Sequence, residues 1–172
     1  PSAPETAAPA DDSASQTTTG AEETAPAQTP VKTPAPSPTP APSPAAPAAG
    51  SYAQQVVDLV NAQRAAQGLS ALTMDAKLTE VAQAKAQDMH DNGYFSHTSP
   101  TYGSPFDMMR AFGVSYRTAG ENIAMGYSSA QAVMNGWMNS SGHRANILNS
   151  AYTRIGVGYV ADGNYWVQEF TG

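Results

Sequence analysis

The run Arg154-Ile155-Gly156-Val157-Gly158-Tyr159-Val160, the dipeptide Asp162-Gly163 and the run Tyr165-Trp166-Val167-Gln168-Glu169-Phe170 together decide the fold. The first run alternates with strand period, Asp-Gly is a two-residue hairpin signal, and the aromatic and β-branched residues that follow make the return strand. With Asp162-Gly163 as the turn, Tyr159 stands opposite Trp166, Val157 opposite Gln168 and Ile155 opposite Phe170. One face of the hairpin is then bulky. On the other, Gly156 and Gly158 face Glu169 and Val167, leaving room for a helix or a ligand against the backbone.

Helices precede the hairpin. Val56, Leu59, Val60 and Gln63 recur at helical spacing over 52–67, and Gly68 supplies the stop. A second helix is expected from about Asp75 to Asp91, with Leu78, Val81, Ala82 and Met89 on one face and Asn92-Gly93 ending it. Ser104-Pro105-Phe106-Asp107 combines a serine cap, a first-turn proline and a carboxylate three residues after the cap. The helix it opens carries Phe106, Met109 and Phe112 and ends at Gly113. Ser128 with Gln131 repeats the capping-box pattern and opens a fourth helix through Val133 and Trp137. About four helices around a short antiparallel sheet, apolar on both faces, predict an α+β domain built as an α/β/α sandwich.

Composition divides the chain at residue 50. Residues 1–50 hold twelve of the 14 prolines, no aromatic residue and a single Val, so they cannot bury enough apolar surface to offset the entropy of ordering. They read as a disordered Pro/Ala/Thr/Ser-rich spacer, with polyproline II favoured from Pro30 onward at roughly 3 Å per residue. Residues 51–172 carry both tryptophans, every Tyr and Phe and all three histidines, a length that suits one domain. The net charge of −6 comes mostly from the spacer, and no basic patch appears, which argues against nucleic acid as a partner. No apolar run is long enough to span a membrane. The chain has no cysteine, which decides nothing about redox compartment.

Three further segments carry chemistry. Phe95-Ser96-His97-Thr98-Ser99-Pro100 and Ser141-Gly142-His143-Arg144-Ala145-Asn146-Ile147-Leu148-Asn149 each supply an imidazole, and Gly120-Glu121-Asn122-Ile123-Ala124 supplies a carboxylate. Flanked by glycine and turn-forming residues, all three are expected on loops that converge in one cleft. His90, near a helix end, reads as a solvated residue, and Arg144 as a partner for Glu121 or another acid. Tyr94, Tyr102, Tyr116 and Tyr127 lie near the same loops and suit either a ligand or ordinary loop packing.

In this order the segments resemble the CAP family, the SCP domain of cysteine-rich secretory proteins, venom antigens and plant pathogenesis-related proteins, in its bacterial, cysteine-free branch. Val60-Asn61-Ala62-Gln63-Arg64 with Gly68-Leu69 resembles the opening helix, and Ile155-Gly156-Val157-Gly158 with Tyr165-Trp166-Val167-Gln168 the closing strands. The resemblance implies a cleft lined by two histidines and two acids, here His97, Glu121 and His143. The second family glutamate falls three residues after Trp137, where this chain has Ser140, so the tetrad is incomplete. Glu169 is another carboxylate that the strand register brings into consideration.

Two neutral imidazoles can ligate zinc at about 2.0–2.1 Å, so His97 and His143 are candidate ligands for a divalent metal, with no cofactor required. No H-E-x-x-H pair, no G-x-S-x-G elbow and no cysteine nucleophile is present. The family resemblance and the spacer imply an exported, monomeric protein, extracellular or attached to the cell envelope. It would bind a small lipid-like, peptide or envelope ligand. The alternative is a metal-dependent hydrolase acting on peptide or cell-wall material.

Overall fold

The computed structural model describes residues 49–172. The spacer expected over 1–50 lies outside the described residues except for its last two, which open the first helix. Helix α1 spans Ala49–Ala66, β1 Thr73–Met74, α2 Ala76–Asn92, α3 Pro105–Ala111, β2 Ala119–Met125, α4 Ala130–Asn139, α5 Ser141–Ile147, β3 Arg154–Val160 and β4 Tyr165–Thr171. The four strands form one sheet in the order β1-β3-β4-β2. The β3–β4 hairpin has the register read from the sequence: Tyr159 with Trp166, Val157 with Gln168, Ile155 with Phe170. The sheet is mixed and not purely antiparallel, because β1 runs parallel to β3.

Helices α1, α4 and α5 cover one face. Val56 and Val60 of α1, Val133 and Trp137 of α4 and Ile147 of α5 pack on Ile155, Val157, Tyr159, Trp166 and Phe170. Helix α2 covers the other, with Ala82, Ala86 and Met89 on Ile123 and Val167, and Leu78 and Val81 reach outward to Met108 and Met109 of α3. This is the α/β/α sandwich. The glycine face of the hairpin receives the helix: a Cβ on Gly156 would lie 2.1 Å from the carbonyl carbon of Leu78, and one on Gly158 would lie 2.3 Å from that of Ala82. Only hydrogen side chains let α2 settle so close to the strand.

The caps follow the sequence with one exception. Asp75 accepts from the amides of Lys77 and Leu78, Gly93 ends α2 in the left-handed region at φ 62°, and Ser104 and Asp107 form the reciprocal capping box. Helix α4 is capped by Ser129, one residue later than expected, while Gln131 donates to Asn135 on its own helix. On α1 the buried face is Val56, Val57, Val60 and Arg64, and Gln63 is exposed.

Two segments expected as loops are regular elements. Residues 119–125 form strand β2, paired antiparallel with β4, and residues 141–147 form a short fifth helix beside the four read from the sequence. Strand β2 is a sheet edge, and its outward carbonyls are capped from the helical layer: the Trp137 indole N–H donates to Ile123 O at 3.2 Å and Asn146 Nδ2 to Glu121 O at 3.2 Å. An edge blunted this way does not offer its ladder to a neighbouring chain.

His90 is not simply solvated. Its Nδ1 meets Asp91 Oδ1 at 2.7 Å and its Nε2 meets Asp162 Oδ2 at 3.1 Å, so the end of α2 is tied to the hairpin turn. The hydrogen bond to Asp91, then that to Asp162, holds its pKa above the usual imidazole value.

Candidate functional site

Glu121 is the centre of the site. On β2 its side chain turns toward the α2 face, where Oε1 lies 2.6 Å from Nδ1 of His97. The carboxylate is 2% exposed and the imidazole 38%. An ionised carboxylate only accepts, so Nδ1 carries the hydrogen, and in the neutral ring Nε2 is left as an acceptor. Phe95, two residues away, is among the exposed large apolar side chains, at 46%.

The loop bearing His97 is held by two buried charged residues of α2. Lys85, 1% exposed, donates from Nζ to the carbonyls of Ser96 and His97, both at 2.8 Å, and to the Tyr94 hydroxyl at 3.3 Å. Burial lowers the Lys85 pKa, and the nearby charges of Glu121, Glu169 and Asp88 act in the opposite direction. Asp88 accepts from the hydroxyls of Tyr94, Ser99 and Thr101 and from Asn92 Nδ2. Burial opposes its ionisation, but the hydroxyls of Thr101, Tyr94 and Ser99 outweigh that and keep its pKa below the usual value. Both residues sit at core positions of the α2 period, between Ala82 and Met89. A charge at a core position is the sequence signal for this anchoring.

His143 lies on α5, on the other side of β2. Its backbone carbonyl accepts from Asn122 Nδ2 at 3.2 Å. Asn122 also donates to Gln168 Oε1 and accepts from Asn146 Nδ2, so a buried amide network fixes α5 to the residue next to Glu121. Behind α5, the buried Arg64 donates to the carbonyls of Ser70, Ile147, Asn149 and Tyr152. His97 and Glu121 are thus in contact, and the helix carrying His143 is docked beside them. Arg144 is exposed, and Glu121, one of the acids considered as its partner, is taken by His97. Among the described residues no three His, Asp or Glu side chains form a group able to hold a metal ion.

Of the four tyrosines named from the sequence, Tyr94 stands at this site, with its hydroxyl between Lys85 and Asp88. Tyr102 packs edge-on against Phe112, Tyr116 against Phe106, and Tyr94 serves Asp88; Tyr127 lies past the far end of β2, where its carbonyl accepts from the Trp166 indole. Loop packing accounts for Tyr102 and Tyr116, while Tyr127 is exposed. Ser140 caps no amide with its side chain and leaves the second-glutamate position without a carboxylate. The additional acid in the site is Glu169, directly opposite Glu121 on β4.

The three segments, their order and the sandwich that carries them match a known domain: the family model described as "CAP: Cysteine-rich secretory protein family" aligns with residues 57–170. The chain belongs to the CAP family. It is a cysteine-free member, as in the bacterial branch. It is 57% identical over 128 residues to the uncharacterized protein YkwD of Bacillus subtilis, covering 74% of this chain and 50% of that protein. It is 44% identical over 117 residues to the uncharacterized membrane protein YlbC of the same organism, covering 68% of this chain and 33% of YlbC. An extracellular SCP-domain protein from Bacillus anthracis superposes with a TM-score of 0.69 at 40% identity, over 72% of this chain and 41% of that one. An outer surface protein of Borrelia burgdorferi shares the fold, with a TM-score of 0.64 at 23% identity over 69% of this chain and 90% of that one. The chain therefore spans half or less of the length of its Bacillus relatives. Among the described residues no helix is long and apolar enough to cross a membrane.

Proposed function

We propose that this CAP domain is an exported binding module of the cell envelope that takes a small lipid-like, peptide or envelope ligand at the His97–Glu121–His143 cleft. One observation carries the reading. A half-exposed imidazole is backed by a buried carboxylate at 2.6 Å, which fixes its tautomer and leaves Nε2 available to an incoming group. The exposed Phe95, two residues away in the same loop, would offer apolar surface to such a ligand. Export is supported by the extracellular SCP-domain relative and by the Pro-rich segment, which would hold the domain away from a membrane or wall.

A metal-dependent hydrolase is the second reading, favoured by the carboxylate–histidine pairing itself, which is how proteins orient metal-bound imidazoles. His97 and His143 would hold the ion. The described side chains do not fit a three-ligand centre, and the carboxylate that could act as base is committed to His97. Assays of the full chain with zinc against peptide, ester and peptidoglycan substrates are expected to show no turnover. Sedimentation with peptidoglycan, or with vesicles of phosphatidylglycerol and phosphatidylethanolamine, is expected to show binding that weakens about tenfold in Glu121→Gln, the loss of roughly one charged hydrogen bond. Metal-dependent turnover abolished by both Glu121→Gln and His143→Ala would replace the binding module with the hydrolase.

A further inference from the structure

Behind the His97–Glu121 contact lies a second carboxylate with no donor. The β2–β4 register sets Glu169 directly across from Glu121, and Glu169 is 0% exposed. Glu121 Oε1 is taken by His97, but Glu121 Oε2 and both Glu169 oxygens are buried without a hydrogen-bonding group from any described residue. The nearby ammonium of Lys85 has its donors directed to the carbonyls of Ser96 and His97 and the Tyr94 hydroxyl, so it acts on the pair only through its field. Two ionised carboxylates cannot share such a place. The second charge would be buried beside a like charge with no donor to stabilise it, which strongly disfavours the doubly ionised pair. One proton between them removes the conflict.

We infer that Glu169 is a neutral carboxylic acid at neutral pH, that it donates its proton to Glu121 Oε2, and that it is thereby the positioning residue of His97. The proton belongs on Glu169 because Glu121 already has the His97 N–H to stabilise its charge, whereas Glu169 has no such donor. Burial first, then the charge of Glu121 and its hydrogen bond, hold the Glu169 pKa well above the usual carboxyl range, against the opposing pull of Lys85. The chain Glu169–H···Glu121···H–His97 carries a single negative charge. It anchors both oxygens of Glu121, so that Oε1 stays on Nδ1 and Nε2 faces outward. Glu169 approaches the site from a strand and not from the helix position that Ser140 occupies, so a buried acid backs the histidine without lining the cleft. Its interest depends on His97 being the working group of the cleft, but its protonation can be read with no ligand present.

The charged groups acting on Glu169 are Glu121 on β2 and Lys85 on α2, with His97 beyond Glu121 and Asp88 beyond Lys85. A folded-state pKa raised above the unfolded value means that the native state binds the extra proton. Stability from this group is then full below the unfolded pKa and falls as pH rises toward the folded value. Glu169→Gln keeps a donor without the proton, so its melting temperature should gain on the wild type as pH rises above the ordinary carboxyl range. Infrared spectroscopy of the full chain at pH 7 should show one protonated-carboxyl C=O band, lost in Glu169→Gln and kept in the surface control Glu80→Gln. Nitrogen-15 shifts should show His97 protonated on Nδ1 in the wild type and in Glu169→Gln, and a tautomer mixture in Glu169→Leu. No such band in the wild type overturns the inference, as does a band that survives Glu169→Gln or an unchanged His97 tautomer in Glu169→Leu. If the leucine variant does not fold, the wild-type band and its loss in Glu169→Gln decide the matter.

Discussion

Trp137→Ala is expected to cost about 3–5 kcal/mol, the usual range for emptying a buried indole site. Trp137 is 1% exposed and stands between α4 and the sheet, in one cluster with Val133, Tyr159 and Trp166. It also caps an edge: its N–H is the donor to Ile123 O on the unpaired side of β2. Trp137→Phe separates the two roles, since it keeps most of the apolar volume but leaves that carbonyl without its donor, at about 1–3 kcal/mol. Chemical denaturation reads both variants. A midpoint for Trp137→Ala close to wild type would mean that the indole is not a core residue.

Gly156→Ala should be nearly as damaging, at about 3 kcal/mol or more, although it adds a single methyl group. The new Cβ would lie 2.1 Å from the carbonyl carbon of Leu78 and 2.3 Å from its oxygen, and backbone in a helix cannot step aside as a flexible side chain would. Helix α2 would have to lift from the sheet, taking Lys85, Asp88 and the His97 loop with it. Gly142→Ala is the control, because its Cβ meets nothing within 4 Å and alanine favours the helical conformation of α5. Equal denaturation midpoints for Gly156→Ala and the wild type would contradict the close helix–strand contact.

The hairpin and its two glycines were legible because strand period and a turn dipeptide reinforce each other. Register then followed from counting outward, and the same count placed Glu169 opposite Gly156 and within reach of the site. Strand β2 was not legible. Gly120, Glu121 and Asn122 are poor strand formers, and the strand exists because β4 pairs with it and because Trp137, Asn146 and Asn122 satisfy groups that local sequence cannot. Helix α5 is seven residues long and has no side-chain cap, so local propensity gives it little signal; Arg64, from 83 residues away, holds its last carbonyl. Two-residue β1 is too short to show a period at all. In the candidate site, the His97–Glu121 pair was visible through family spacing. Lys85 and Asp88 were not, because a charged residue on a helix reads first as part of its solvated side.

His97 and His143, one on each side of β2, are proposed to serve a single cleft with Glu121. Zinc titration followed by NMR of the imidazole resonances tests it most directly. Both rings are expected to respond together over the same zinc range, and His143→Ala to abolish the response of His97. Two independent responses, or a His97 response unchanged in His143→Ala, would contradict a shared site.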